Sequence, residues 1–144
     1  YTEAPIPVIY PVHPRTKRKL IQNSLWKKLK NSKNVQVIHP LGYFDFLILM
    51  KNCQFIVTDS GGIQEEATAP PIRKHVIVTR ISTERPEAVK AGFAKVVGTD
   101  KERILSAMRK ILDKDEKFLP NESPFGNEKA SEKIVNIIEK EVLS

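Results

Sequence analysis

Phe55-Ile56-Val57-Thr58-Asp59-Ser60-Gly61-Gly62-Ile63-Gln64-Glu65-Glu66-Ala67 joins an apolar run to helix-forming residues through a Ser-Gly-Gly turn. A strand therefore ends at a turn that opens a helix, the junction from which parallel α/β sheets are built. The first N–H groups of a helix lack intrahelical partners and its dipole is positive there, while glycines let an anion approach the main chain closely. On those grounds Ser60, Gly61 and Gly62 form a candidate phosphate cradle. Glu65 and Glu66 follow one turn later. A carboxylate facing inward would repel phosphate, but one slightly further out accepts hydrogen bonds from sugar hydroxyls, and phosphate plus diol points to a nucleotide. The alternative is structural: Ser60 as an N-cap and Gly61-Gly62 as a tight strand-to-helix turn.

Outward from this turn, short β-rich runs alternate with helical patterns, the signature of a parallel α/β sheet. Strands are expected near Val8 to Val12, Val35 to Ile38, Phe55 to Thr58, Val76 to Thr79 and Ala94 to Val97. Helices are expected from Arg15 to Lys30, Tyr43 to Asn52, Gly62 to Ala69, Arg85 to Ala91 and Lys101 to Leu112. The last of these has Ile104, Leu105, Met108, Ile111 and Leu112 on one face and Asp100 as its cap. Residues Asp113 to Asn127 are polar, contain Pro120, Pro124 and Gly126, and read as a loop. A final helix over about residues 128–143 carries the stripe Ala130, Ile134, Ile137, Ile138 and Val142, so it needs an apolar surface to lie on. Ligands of such sheets lie at the carboxyl ends of the strands, here His13-Pro14, His39-Pro40-Leu41-Gly42, the Ser-Gly-Gly turn and the Arg80 to Arg85 loop.

The 144 residues suit one domain with a real core, and 40% hydrophobic against 28% charged residues is a globular balance. The longest apolar stretch, Phe44 to Met50, is interrupted by Asp45 and too short to span a bilayer, so no membrane association is expected. No signal peptide is visible, and the opening Tyr1-Thr2-Glu3-Ala4-Pro5 reads as the middle of a longer protein. One cysteine, Cys53, cannot make an internal disulfide and reads as a small core residue, consistent with a reducing, cytoplasmic setting. The net charge of +7 raises the question of nucleic acid. Lys17, Arg18, Lys19, Lys27, Lys28 and Lys30 are spread along one helix without interleaved stacking aromatics, so a solvated basic surface is the preferred reading.

His13 and His39 each follow a strand and precede a proline; either is read first as a turn residue that hydrogen-bonds locally. The single cysteine and scattered histidines lack metal-ligand spacing, and no metal or cofactor is implied. In Thr83-Glu84-Arg85-Pro86-Glu87-Ala88, proline stands at a helix start and holds Arg85 at the rim, where its planar fork reaches a diphosphate or a neighbouring carboxylate. A surface Glu84–Arg85 pair accounts for the same spacing.

Together these residues resemble the non-hydrolysing UDP-N-acetylglucosamine 2-epimerases. The resemblance runs through Pro11-Val12-His13-Pro14-Arg15-Thr16, Pro40-Leu41-Gly42-Tyr43-Phe44-Asp45-Phe46, Thr58 to Ala67, Ser82 to Ala88, Val97-Gly98-Thr99-Asp100 and Pro124-Phe125-Gly126-Asn127 with Lys129-Ala130. It implies a Rossmann-like three-layer parallel sheet, the second half of a glycosyltransferase-B fold, with residues 1–144 as the UDP-binding C-terminal domain and an N-terminal domain elsewhere. By similarity, Ser60, Gly61 and Gly62 hold the diphosphate, Glu66 the ribose hydroxyls and Arg85 the diphosphate, while Phe46 and Leu41 border the uracil. His13 matches a histidine that in bacterial members helps hold a second UDP-sugar as activator.

The implied reaction, an isomerisation, eliminates UDP from UDP-GlcNAc, leaves 2-acetamidoglucal and adds UDP back with carbon 2 inverted to give UDP-ManNAc. The family's acid and base carboxylates come from the first domain, so no catalytic residue is assigned in this chain, which is expected to bind UDP and UDP-N-acetylhexosamine without epimerising. Family members dimerise mostly through that first domain, so the parent is expected to be a homodimer. One departure is the segment Ala67 to His75, about two residues longer than the family's usual connection and lacking its glycine; it is expected behind the sheet, altering local packing more than UDP binding. The competing readings are the donor-binding domain of a UDP-sugar glycosyltransferase, which Thr83 to Ala88 weighs against, and a non-catalytic nucleotide-binding module.

Overall fold

In the computed structural model, which describes residues 1–114, 119–126 and 129–142, the apolar runs form strands β1 (Val8–Pro11), β2 (Val35–Ile38), β3 (Ile56–Thr58), β4 (Val76–Val78) and β5 (Ala94–Val96). Between and after them run helices α1 (Pro14–Gln22), α2 (Trp26–Lys30), α3 (Tyr43–Asn52), α4 (Gly61–Glu66), α5 (Pro86–Lys90), α6 (Lys101–Leu112) and α7 (Ala130–Val142). Every strand pair is parallel, with Val8 opposite Val35, Ile56 opposite Val76 and Val76 opposite Ala94.

Strand β4 shows why the layers stack as they do. Val76, Ile77 and Val78 are all buried, as expected of a central strand covered on both faces. Successive side chains point to opposite faces. Val76 and Val78 pack with Met50, Ala67, Ala88 and Ala94, which brings α3, α4 and α5 to one side. Ile77 packs with Val97, Leu105, Ala107 and Met108, which brings α6 to the other. The three layers are therefore built around β3–β4–β5. The expected single sheet is divided: β1 and β2 form a second, two-stranded sheet, and among the described residues no ladder joins β1 to β3.

The expected helix over residues 15–30 is two helices. Ser24 adopts a left-handed backbone (φ 59°), Ser24 N donates to Ile21 O at 3.0 Å and Leu25 N to Leu20 O at 2.8 Å. This pair of bonds is the Schellman arrangement that ends a helix, here with serine in place of the usual glycine. Asn23 Nδ2 reinforces it by donating to Lys19 O at 2.8 Å. Asp100 caps α6 as expected, accepting from Arg103 N at 2.9 Å. The extended connection after α4 packs away from the strand ends. Thr68, fully buried, is bonded to Glu65 O and Ser123 Oγ, and Arg73 donates to the carbonyls of Leu119 and Pro120 at 2.8 and 3.1 Å. Among the described residues the apolar stripe of α7 finds no covering surface: Ile134, Ile137 and Ile138 are at least half exposed. Asn127 and the expected helix start at Glu128 lie outside the described residues.

Candidate functional site

Adjacent parallel strands deliver their following loops side by side. Because β3 pairs with β4, the Asp59-Ser60-Gly61 turn sits beside the loop from Thr79 to Arg85. Thr58, almost wholly buried at the end of β3, accepts from Ser60 N through Oγ1 at 3.0 Å and folds the turn over. Ser60 then occupies the N-cap position of α4 with extended backbone, yet its side chain makes no capping bond. Ser60 is thus the N-cap residue by position, as the structural alternative has it, but its hydroxyl is not consumed by its own helix.

The glycines make the same point. Neither Gly61 nor Gly62 has a positive φ. An added Cβ at Gly61 would meet Arg85 Cζ at 3.7 Å and one at Gly62 would meet Ser60 Oγ at 4.0 Å, both ordinary contact distances. The fold itself would accept alanine at either position. Glycine leaves the main chain open to close approach from outside, the property a candidate anion cradle requires.

Arg85 lies over this cradle. Its Nε donates to Glu65 Oε1 and its Nη1 to the carbonyl of Glu84 at 3.0 Å. The alternative Glu84–Arg85 surface pair is corrected: the Glu84 carboxylate pairs instead with Arg80 at 3.3 Å, four residues back in the same loop. Pro86 opens α5 directly after Arg85, as expected of proline at a first helical position. Glu66 is half-buried in the last turn of α4, and its carboxyl titrates above the usual range because of burial first and the Glu65 charge second.

Ser60, Phe46 and His13 border one cleft of about 910 Å³ that separates β1 from β3. His13 caps α1, its Nδ1 accepting from Arg15 N at 3.2 Å, which is the turn role expected of a strand-end histidine. Leu41 is exposed ahead of α3 and does not border that cleft. Arg85, Gly61 and Glu65 are thus brought together, Ser60, Phe46 and His13 share a cleft, and Leu41 stands apart. Two contributors were not singled out from sequence. Gln64, fully buried, donates from Nε2 to Ser60 O at 3.1 Å, and Thr83 Oγ1 donates to Gln64 Oε1 at 2.5 Å. Their signal lay in the two quoted motifs, but a contact across 19 residues has no local pattern.

This fold and turn define a parallel α/β domain with a Ser-Gly-Gly turn at its strand ends. The family pattern described as UDP-N-acetylglucosamine 2-epimerase matches residues 2–139, and the chain belongs to that family. It is 43% identical over 131 residues to UDP-N-acetylglucosamine 2-epimerase of Methanocaldococcus jannaschii, covering 91% of this chain and 34% of that protein. The crystal structure of the M. jannaschii enzyme in complex with UDP-GlcNAc and UDP superimposes with a TM-score of 0.81 at 42% identity, over 93% of this chain and 36% of that one. The Neisseria meningitidis enzyme bound to UDP-GlcNAc gives 0.71 at 39%, over 92% and 36%. The chain spans about a third of the length of these relatives. Among the described residues no helix is long and apolar enough to cross a membrane.

Proposed function

We propose that this chain is the UDP-binding half of a UDP-N-acetylglucosamine 2-epimerase. The observation that carries the proposal is the Arg85 guanidinium seated against Gly61 at a turn whose glycines the fold does not itself need. A diphosphate laid on Gly61 and Gly62 meets main-chain N–H groups, the Ser60 hydroxyl and a permanently charged planar fork. Glu66, further along α4, accepts from ribose hydroxyls, and Phe46 borders the uracil, while Leu41, which lies outside the cleft that Phe46 lines, is assigned to the same base by similarity alone.

In the proposed whole enzyme this half stabilises the departing diphosphate while UDP leaves C1 of the sugar and a proton leaves C2; a proton then returns to C2 on the opposite face of the resulting glycal as UDP re-adds to C1, so that C2 alone is inverted. Electrostatic stabilisation of the leaving group is the largest contribution such a site makes. The acid and base that move the proton are assigned to the other two thirds of the protein, along with any homodimer contact. His13 is assigned to a second UDP-sugar, beside the first across the cleft.

Calorimetric titration of UDP, UMP and UDP-GlcNAc into the chain and into Ser60→Ala and Glu66→Ala tests this. UDP is expected to bind more tightly than UMP, with both variants weaker. Conversion of UDP-GlcNAc to UDP-ManNAc by the pure chain would contradict the division of labour.

A further inference from the structure

We infer that Gln64 and Thr83 are positioning residues that hold Arg85 at its distance from the diphosphate cradle. The inference rests on the UDP-binding reading above and adds the device that sets the geometry of its charged contact. The loop bearing Arg85 has little else to fix it: Ile81 is 95% exposed, and Ser82 and Glu84 face solvent. Thr83 is the half-buried exception. Its hydroxyl accepts from Arg85 N at 3.1 Å and donates to Gln64 Oε1 at 2.5 Å.

Gln64 completes the link. Four residues after Ser60, its carboxamide reaches back over the first turn of α4 and donates to the Ser60 carbonyl at 3.1 Å. A carboxamide with no solvent exposure is costly to bury unless both ends are bonded, and both are. The chain Ser60–Gln64–Thr83–Arg85 therefore ties the main chain of the cradle to the main chain of the arginine by three hydrogen bonds in series. Glu65, on the solvent side of the same helix, holds the other end of that residue by accepting from the guanidinium Nε. Backbone is fixed from beneath and side chain from above. An arginine so held presents its fork to a diphosphate without losing rotamer freedom on binding.

The test uses Thr83→Val, which removes the hydroxyl at nearly constant shape, Thr83→Ser, which restores it, and Gln64→Met, which cuts the link from its other end. In the ligand-free chain, the Arg85 Nε–Hε resonance, with the amide spectrum as the check on folding, is expected to shift and exchange faster in Thr83→Val and Gln64→Met, and to return in Thr83→Ser. UDP affinity is expected to fall about tenfold in Thr83→Val, the scale of one lost hydrogen bond in a buried network. The affinity for UMP, which lacks the distal phosphate, is expected to fall less. In an Arg85→Ala background Thr83→Val should cost little further. An unchanged Arg85 resonance in Thr83→Val, or an equal loss of UDP affinity with and without Arg85, overturns the inference. Failure of the unaltered chain to bind UDP would instead overturn the functional reading, while the Arg85 resonance still decides the positioning role.

Discussion

The two sheets of this molecule bury their strands very differently. In β4, every residue is shielded, with Val76 at 1% exposure and Ile77 and Val78 at 0%. In β1, Ile9 is 48% exposed, and the buried residues of that region are few, among them Val12, Val35 and Leu29. The Ser60-Gly61-Gly62 turn, the proposed phosphate site, is built on the well-packed half and the activator candidate His13 on the open one. Rigid elements hold a binding constellation more closely than mobile ones, so the division predicts a preformed cradle and a β1–α1 flank that opens locally at lower cost.

The largest expected effect separates the halves by the same substitution. Ile77→Ala should lower unfolding free energy by about 2–5 kcal/mol, as removal of a buried branched side chain does. Ile9→Ala should cost under about 1 kcal/mol, since half of that side chain is already in water. Chemical denaturation of the two variants measures both. Equal losses would dissolve the comparison.

The next effect sharpens what the packed half is for. Gly61→Ala should leave thermal stability unchanged or raise it by up to about 1 kcal/mol, because the fold has room for the methyl and alanine favours helix. UDP affinity should nevertheless fall about a hundredfold, an intruding methyl in a filled site costing roughly 1–3 kcal/mol. Parallel thermal and calorimetric measurements read the two outcomes, and a stability loss without an affinity loss would make the glycine a folding residue.

Much of this division could be read in the sequence. The boundaries of α6 follow from Asp100 and the Ile104, Leu105, Met108 spacing, because a cap and a one-sided stripe are both local signals. The Ser60-Gly61-Gly62 turn was equally legible, being a strand end and a helix start in direct succession. The break at Ser24 was not, since serine rather than glycine takes the left-handed position and the lysine-rich pattern runs on past it. Nor was the separation of β1 from β3, which depends on contacts between distant segments. Which carboxylate would meet Arg85 was open for the same reason: Glu84 is next in sequence, but the fold brings Glu65 to the guanidinium and leaves Glu84 to Arg80. The stripe of α7 was visible, but the surface it needs is not provided by the residues described.

Native-state hydrogen exchange offers a graded version of the comparison. Amides of Val76 to Val78 should exchange only with global unfolding, and those of Val8 to Tyr10 through smaller openings. Uniform protection would contradict it.

The smallest effect is electrostatic. Burial and the neighbouring Glu65 raise the Glu66 carboxyl pKa, so the folded chain holds that proton more tightly than the unfolded one. Its contribution to stability is therefore greatest at low pH and is lost as pH rises through the folded pKa. Glu66→Gln should melt slightly above the unaltered chain at neutral pH, with the advantage gone below about pH 4. The same variant should bind UDP several-fold more weakly, because an ionised acceptor makes the stronger hydrogen bond to ribose. Melting curves across pH check the first part and calorimetry the second.

The most direct measurement of the central claim is a titration of the isotopically labelled chain with UDP, followed by amide and arginine side-chain resonances. The account predicts that Gly61, Gly62, Ile63 and the Arg85 Nε–Hε group shift together along one saturating curve. Shifts confined to β1 and α1, or none at millimolar UDP, would contradict it.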